Sequence, residues 1–175
     1  MGSSQKQVST NKAYENNAEN NAHENRWMFV VQALNKPGTL TDAAAVFSNR
    51  GVSLEGFLGS GIDTNTVEDG RLLFSFRATL AKQAVLQRSL ERLPSIFKVD
   101  AYTYDDKRLR AIAVAKLSPE TQIQTVDNLH TETIEQTADT LLLLLSGRTT
   151  VVESAIAHFR QQQQLQDVVM SAITV

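Results

Sequence analysis

A ten-residue stretch near the start of the regular part of the chain, residues 34–43, combines residue types that could bind a small anion. Pro37 fixes its own φ and restricts the residue before it to extended conformations, so a preceding strand must stop there. Gly38 allows a sharp turn, and Thr39 and Asp42 have the spacing of a helix start. Because the first turn of a helix presents unpaired backbone N–H groups, this junction predicts a binding site for a carboxylate or a phosphate.

The same stretch also has a simpler interpretation. Short loops of about two to six residues commonly join a strand to a helix without binding any ligand. The loop alone therefore leaves two interpretations open, an anion site and a plain connection. The secondary structure predicted on either side of the loop is needed to distinguish the two interpretations.

Regular elements follow one another through residues 26–105. Hydrophobic periodicity predicts strands at residues 27–34, 52–61, 71–80 and 96–104, and helices at residues 40–49 and 82–93. The first helix places its apolar side chains on one face: Leu40, Ala43, Ala44 and Phe47. Gly56, Gly59 and Gly61 indicate that the second strand is bent or bulged. The predicted order is β-α-β-β-α-β.

This order is that of the split β-α-β unit, which forms a ferredoxin-like α+β fold. Connections between parallel strands are right-handed in about 98% of cases, so both helices are expected on one face of a four-stranded antiparallel sheet. The strand at residues 71–80 is apolar on both faces, with Phe74 and Phe76 on one and Leu73 on the other. We therefore expect a partner sheet or a second domain to cover the face without helices.

We expect residues 106–175 to form a second domain that resembles a degenerate copy of the first. Strands are predicted at residues 109–117, 122–136, 140–145 and 167–175, and one helix at residues 148–163. Too few residues follow the first of these strands to form the first helix, so the predicted order is β-β-β-α-β. The last helix and strand match the positions of the helix and strand at residues 82–104, which indicates an internal repeat.

The first 25 residues are polar and rich in asparagine. Such a segment buries too little apolar surface to offset the entropy of ordering it, so we expect a disordered tail, with a partner-binding tail as the alternative. The whole chain has 175 residues, a net charge of −2 and no cysteine. Disulfides, cysteine nucleophiles and thiolate metal sites are thereby excluded.

The charge and hydropathy of the chain also limit its partners. A net charge of −2 provides no basic field for nucleic acid or for an anionic membrane. No apolar run approaches the ~18 residues that cross a bilayer. We therefore expect neither a nucleic-acid nor a membrane partner. Because no secretory segment is visible, we also expect a cytoplasmic protein.

Candidate catalytic and metal-binding residues are few. His23, His130 and His158 have no partner at metal-ligand spacing, and the acidic residues of the polar turn at 63–70 lack the order of a calcium loop. No nucleophile motif and no nucleotide-binding motif occurs. The sequence therefore predicts no enzyme, no metal and no cofactor.

RNA-binding modules share the predicted topology and offer another alternative. They stack bases on aromatic side chains of the third strand beside basic residues, a pattern that Arg71, Phe74, Phe76 and Arg77 partly imitate. The face of the two phenylalanines is purely apolar, however, as a buried sheet requires. RNA binding is therefore the weaker interpretation.

Residues 27–104 resemble an ACT domain, the small ligand-binding module of amino-acid metabolism. The resemblance rests on Asn-Lys-Pro-Gly-Thr-Leu at 35–40, Ala-Ala-Ala-Val-Phe at 43–47 and Asn-Arg-Gly-Val-Ser-Leu-Glu at 49–55. The layout of residues 27–175, an ACT domain followed by a degenerate second half, is similar to that of the regulatory small subunits of acetolactate synthase. The similarity is strong in the first half and weak in the second.

The resemblance implies a non-catalytic, allosteric regulatory protein that binds a small amino acid. In that family the ligand lies between the strand-helix loop of one copy and the second strand of its neighbour, which implies a homodimer, with a large catalytic subunit as a further partner. The matching positions are Asn35, Gly38, Thr39, Leu40, Ser53 and Leu54.

Each matching position has an implied role. Asn35 would bond the ammonium or carboxylate, the N–H groups of residues 38–40 would receive the carboxylate, and Leu54 would contact an aliphatic side chain. Ser53 stands where the branched-chain regulators tend to have asparagine.

Two other classes of function remain alternatives. A structural or adaptor protein would keep the fold and use the same loop only for dimerisation. A small enzyme is the third class, but no arrangement of residues supports it. Binding of a free amino acid in the absence of any partner distinguishes a sensor from an adaptor.

Overall fold

The computed structural model describes residues 23–61, 70–123 and 125–174. The predictions for most of the polar tail and for the turn that follows the second strand therefore lie outside the described residues. The chain divides into two compact units between Thr103 and Tyr104. Each unit contains one four-stranded antiparallel sheet.

The first unit consists of four strands and two helices. Their bounds are β1 Asn25–Ala33, α1 Thr39–Ser48, β2 Leu54–Gly61, β3 Gly70–Ala78, α2 Leu80–Leu90 and β4 Ile96–Thr103. The order of the strands in the sheet is β2-β3-β1-β4, and every neighbouring pair is antiparallel. This is the ferredoxin-like arrangement that the β-α-β-β-α-β order predicts.

Four phenylalanines form the centre of the first core. Phe29 of β1, Phe47 of α1 and Phe74 and Phe76 of β3 are each at most 1% exposed. The ring centroid of Phe47 lies 5.2 Å from that of Phe74, 5.1 Å from that of Phe76 and 6.2 Å from that of Phe29. Leu86 of α2 belongs to the same buried cluster. Both helices therefore pack on one face of the sheet, as predicted.

The sheet face without helices is apolar as well. Met28, Val30 and Leu73 on this face are each at most 5% exposed. Both faces of the central strands are therefore shielded from water, which agrees with the two-sided apolar pattern of β3. Because Phe74 and Phe76 are fully buried, they cannot stack on bases as the RNA-binding alternative requires.

The boundary between β3 and α2 differs from the prediction. Leu80 was expected at the end of the strand, but it is the first residue of α2 and is 44% exposed. The side chain of Thr79 accepts a hydrogen bond from the backbone N–H of Lys82 at 3.3 Å. A threonine N-cap of this kind fixes the start of a helix. α2 ends at Leu90, three residues before the predicted end.

A β-bulge lies near the start of β2. The register between β2 and β3 shifts between Leu54 and Gly56, which leaves Glu55 unpaired in the ladder. The Glu55 carboxylate accepts hydrogen bonds from Arg77 on β3, at 2.7 Å, and from Arg26 on β1. The predicted irregularity of this strand is thus confined to its first residues, and the later glycines pair regularly.

The second unit repeats the first with one helix fewer. Its elements are β5 Arg110–Leu117, β6 Leu129–Gln136, β7 Leu141–Arg148, α3 Thr149–Gln161 and β8 Leu165–Ile173. The sheet order β6-β7-β5-β8 matches the order of the first sheet strand for strand. Residues 118–123 and 125–128 form turns and irregular backbone where the first unit has α1. The predicted β-β-β-α-β unit is therefore confirmed.

Two boundaries in the second unit differ from the prediction. The extended stretch expected from residue 122 becomes a paired strand only at Leu129. β7 was expected to end before Ser146, but it continues to Arg148. A Cβ at Gly147 would lie 2.5 Å from the carbonyl oxygen of Asn128, so the glycine permits this close approach of β6.

One face of the second sheet is buried under α3. Val152, Ile156 and Phe159 of the helix pack against alternate residues of β5 and β7. In β5 every second residue is buried, starting with Ala111, and the residues between them are exposed. Among the described residues, no helix of either unit is long and apolar enough to cross a membrane.

Replacement of Phe47 by alanine tests the importance of the phenylalanine cluster. Phe47→Ala should lower the free energy of unfolding of the first unit by about 3–5 kcal/mol, because it removes a fully buried aromatic ring and leaves a cavity. The buried Trp27, the single tryptophan of the chain, belongs to this unit, so its fluorescence during urea denaturation measures the change. Phe57→Ala is the matched control, since Phe57 is 61% exposed. Equal losses for the two variants would contradict this account of the core.

Candidate functional site

The start of α1 is set by Gly38. The spacing of Thr39 and Asp42 suggested a side-chain cap, but Thr39 is instead the first helical residue, and no side chain caps this helix. Gly38 is the N-cap residue with φ 90°, a conformation that glycine adopts without strain. The Thr39 N–H donates to the Lys36 carbonyl at 3.3 Å, and the Asp42 N–H donates to the Gly38 carbonyl at 2.9 Å.

Hydrogen-bonding groups remain unused at this helix start. Within the part of the chain that the structure describes, the backbone N–H groups of Leu40 and Thr41 have no hydrogen-bond partner. The hydroxyl of Thr39 is buried and has no hydrogen-bond partner in the same described part, and Thr39 as a whole is 4% exposed. A buried polar group without a partner costs about 1–3 kcal/mol. The start of α1 therefore has several donors and one positive helix end available to an anion.

A cavity of about 240 Å³ adjoins the start of α1. It lies among the loop after β1, the first turn of α1 and the facing ends of β2 and β3. Its lining residues are Ala33, Leu34, Asn35, Lys36, Thr39, Leu40, Gly59, Ser60, Gly61, Gly70, Arg71 and Leu72. No acidic side chain is present in this lining, whereas Lys36 and Arg71 are both cationic. The described surroundings of the cavity therefore favour an anionic group.

Glycine on β2 makes room for Asn35. A Cβ added to Gly61 would lie 2.5 Å from the side-chain nitrogen of Asn35. The amide of Asn35 therefore lies directly over the end of β2, at the edge of the cavity. On β3, a Cβ added to Gly70 would lie 2.6 Å from the carbonyl oxygen of Ala33. The loop after β1 therefore lies close to the hairpin ends at both glycines.

The six residues matched to the ACT ligand site lie in two separate places. Asn35, Thr39 and Leu40 line the cavity, and Gly38 lies beside them at the helix N-cap. Leu40 was expected on the buried face of α1, but it is 38% exposed because it lies at the cavity.

Ser53 and Leu54 lie at the opposite end of β2. Leu54 and Gly61 are seven residues apart on one strand, a distance of about 23 Å at about 3.3 Å per residue. Ser53 is exposed, and Leu54 packs in part against the core. A single chain therefore does not bring the two halves of the matched set together.

The sequence interpretation missed the cavity residues of the hairpin. Gly59 and Ser60 of β2 and Arg71 of β3 line the cavity, although none of them was predicted for the anion site. The signal was present in the sequence, because glycines at alternate positions of an edge strand mark a close approach. Only the order of strands in the sheet shows that the loop after β1 is the one that approaches these glycines.

The described residues contain no group of three or more histidine, cysteine or acidic side chains that could hold a metal ion. Arg108 donates two side-chain hydrogen bonds to the carboxylate of Asp106, at 2.7 and 3.0 Å, and this contact holds the pKa of Asp106 well below its usual range. The pair lies in the turn before β5, so a local ion pair accounts for the shift.

A larger cavity, of about 390 Å³, lies in the second unit. It is bordered by α3 and by the segment that replaces the first helix, with Ile123, Val126 and Phe159 in its mainly apolar lining. It contains none of the six matched residues. We regard the smaller cavity as the candidate site because its donors have the chemistry that a carboxylate requires.

Substitution of two glycines tests the geometry of the site. Gly70→Ala should destabilise the first unit by about 1–3 kcal/mol, because the methyl group meets backbone that cannot move freely. Gly61→Ala should lower the free energy of unfolding by less, since the Asn35 side chain can rotate away. The NMR signals of the Asn35 side-chain amide should shift in this variant. The control is Gly59→Ala, whose Cβ would make an ordinary contact of 3.4 Å with Leu72. Urea denaturation compares the three variants, and a larger loss for Gly61→Ala than for Gly70→Ala would contradict this geometry.

Comparison with known proteins identifies the fold. No protein-family model and no curated protein matches the sequence. Among solved structures, the chain is similar to the small subunit of acetolactate synthase from Thermotoga maritima, with 18% identity and a TM-score of 0.65 over 87% of this chain and 98% of that one.

A weaker similarity exists to the ligand-free regulatory subunit of aspartate kinase from Thermus thermophilus. It has 10% identity and a TM-score of 0.42 over 78% of this chain and 92% of that one. A score this low supports no argument about the present chain. The similarity to the acetolactate synthase small subunit shows a common fold, and the predicted resemblance to ACT-domain proteins is thereby confirmed at the level of the fold.

Proposed function

We propose that this protein is a non-catalytic regulatory protein that binds a small amino acid at an interface between two copies of its first unit. The observation that carries the proposal is the cavity at the start of α1, where unpaired N–H groups, the Asn35 amide and two cationic residues lie together. A cytoplasmic location, as expected from the sequence, is part of the proposal.

The first half of the site is suited to the backbone end of an amino acid. The N–H groups of Leu40 and Thr41 would donate to the carboxylate, with support from the positive end of α1. The side-chain oxygen of Asn35 would accept a hydrogen bond from the ammonium. The cavity of about 240 Å³ is smaller than the ~300–1,000 Å³ of drug-sized ligand sites, which suits a small ligand.

The second half of the site would come from a second copy. β2 lies at the edge of its sheet, and an unpaired strand edge is a template for another strand. If β2 pairs antiparallel with its copy about a two-fold axis between Phe57 and Leu58, residues whose numbers add to 115 face each other. Leu54 of one copy then lies opposite Gly61 of the other.

This arrangement would complete the matched set of residues. It would place Ser53 and Leu54 of one copy beside the cavity of the other copy. The cavity of their own chain is about 23 Å away from them. A two-fold dimer contains two such sites. Ligand that binds across the interface stabilises the dimer, so ligand concentration and assembly are linked. A change of assembly is the means by which the protein would regulate a large catalytic partner.

Ligand binding is tested by thermal unfolding of the purified protein with each of the twenty amino acids. A ligand at about 100 times its Kd should stabilise the folded state by about 2.7 kcal/mol. The shift should be confined to one chemical class and should be lost in Asn35→Ala. Asn49→Ala is the matched control, because Asn49 caps the other end of α1. No shift with any amino acid would reject a free amino-acid sensor and favour the adaptor alternative.

The β2 interface is tested by a lysine on the edge strand. Phe57→Lys should abolish the dimer made by the first unit, because a charged residue opposes edge-to-edge pairing. Phe97→Lys is the matched control, since Phe97 is 54% exposed and lies on β4 at the opposite edge of the same sheet. Sedimentation velocity measures the mass of each variant, and a dimer that withstands Phe57→Lys but not Phe97→Lys would contradict the proposed interface.

A further inference from the structure

The second unit has an apolar sheet face without a helix over it. We call it the open face and define it by the outward residues of the central strands and of β8: Ile112, Val114, Leu142, Leu144, Val169 and Ile173. Val169 is 74% exposed, and Ile112, Val114 and Ile173 are between 38% and 43% exposed. Apolar side chains grouped on one exposed face mark an interaction surface.

One end of the open face is basic. Arg110 on β5 and Arg148 on β7 are directly opposite each other in the ladder, so both side chains lie on this face. Like charges in directly opposite positions destabilise a sheet unless an anion lies nearby. Within the described residues neither arginine forms an ion pair.

The other end of the open face carries two carboxylates. Asp167 on β8 pairs with Lys116 on β5, and Lys116 in turn pairs with Leu142, which has Glu135 of β6 on its other side. Neither Asp167 nor Glu135 forms an ion pair with another described residue. Between the two ends, the central strands and β8 are apolar, and the edge strand β6 adds Glu132 opposite Leu144. One end of the open face is therefore basic, and the end with Asp167, Glu135 and Lys116 has a net negative charge.

We propose that the open face is an interface for the open face of a second copy of this chain, packed about a two-fold axis perpendicular to the strands. Such an axis reverses the strand direction, so the arginine end of each copy lies over the end of the other that has Asp167, Glu135 and Lys116, whose net charge is negative. An axis along the strands would bring the four arginines together and is opposed by their repulsion. Aligned sheets pack about 10 Å apart with strand directions within about 30°, and the two open faces would pack in this way.

The size of the open face is sufficient for a weak specific contact. Four strands about 4.8 Å apart and eight residues of about 3.3 Å each cover about 500 Å² in each copy. Two copies would bury about 1,000 Å², which is near the lower limit of biological interfaces. The association should therefore depend on protein concentration and, because charges contribute at both ends, should weaken at high salt.

Sedimentation velocity of the full chain in the Phe57→Lys background tests this interface apart from the proposed β2 dimer. In this background a dimer should persist and should dissociate on dilution. Val169→Asp should raise its Kd about tenfold or more, because the contact would bury an unpaired carboxylate. Val169 is exposed in the single chain, so the variant should fold normally. Phe97→Asp changes another exposed apolar residue, 54% exposed and outside the open face, and should leave the dimer unchanged.

A charge exchange tests the direction of the two-fold axis. Arg148→Glu and Glu135→Arg should each weaken the dimer, and the two changes combined in one chain should restore it. A monomer in the Phe57→Lys background at every concentration would overturn the proposal. It would also be overturned if Val169→Asp had no more effect than Phe97→Asp. Loss of amino-acid binding would reject only the proposed function, because the ligand site lies in the first unit.

Discussion

The packing of Phe47 against Phe29, Phe74 and Phe76 is the contact on which the first unit depends. It anchors α1 to the sheet, and the position of α1 determines where Gly38 begins the helix. The unpaired N–H groups of the first turn and the cavity beside them follow from that position. The core thus supports a site whose hydrogen-bonding groups come from Asn35, Thr39 and the first turn of α1.

The strand β2 connects ligand binding with assembly in the proposed function. It is an edge strand, its glycines admit Asn35 at one end, and Ser53 and Leu54 lie at its other end. Along its outer side, an edge strand of this kind presents unpaired backbone N–H and C=O groups to water. Pairing with a second copy would satisfy the edge and complete the site by the same contact. Ligand and assembly would then be coupled without any large conformational change.

The second unit shows what the repeat gains and loses without its first helix. The strand order is retained, which indicates that four strands and α3 are enough to form the sheet and its core. In the described residues, the turns and irregular backbone at 118–123 and 125–128 replace that helix, and a cavity lies beside α3. The sheet also presents the exposed apolar face that we propose as an interface.

The sequence by itself determined the element order, the internal repeat, the absence of cysteine chemistry and the loop that begins the site. These depend on local signals: the period of apolar residues, the proline and glycine at 37 and 38, and the segment too short for a helix. The tertiary structure decided the rest. Leu40 lines the cavity and does not belong to the core. Gly59 and Arg71 also line the cavity, because the sheet order places β2 and β3 beside the loop. Such contacts between distant segments depend on packing, which no local pattern encodes.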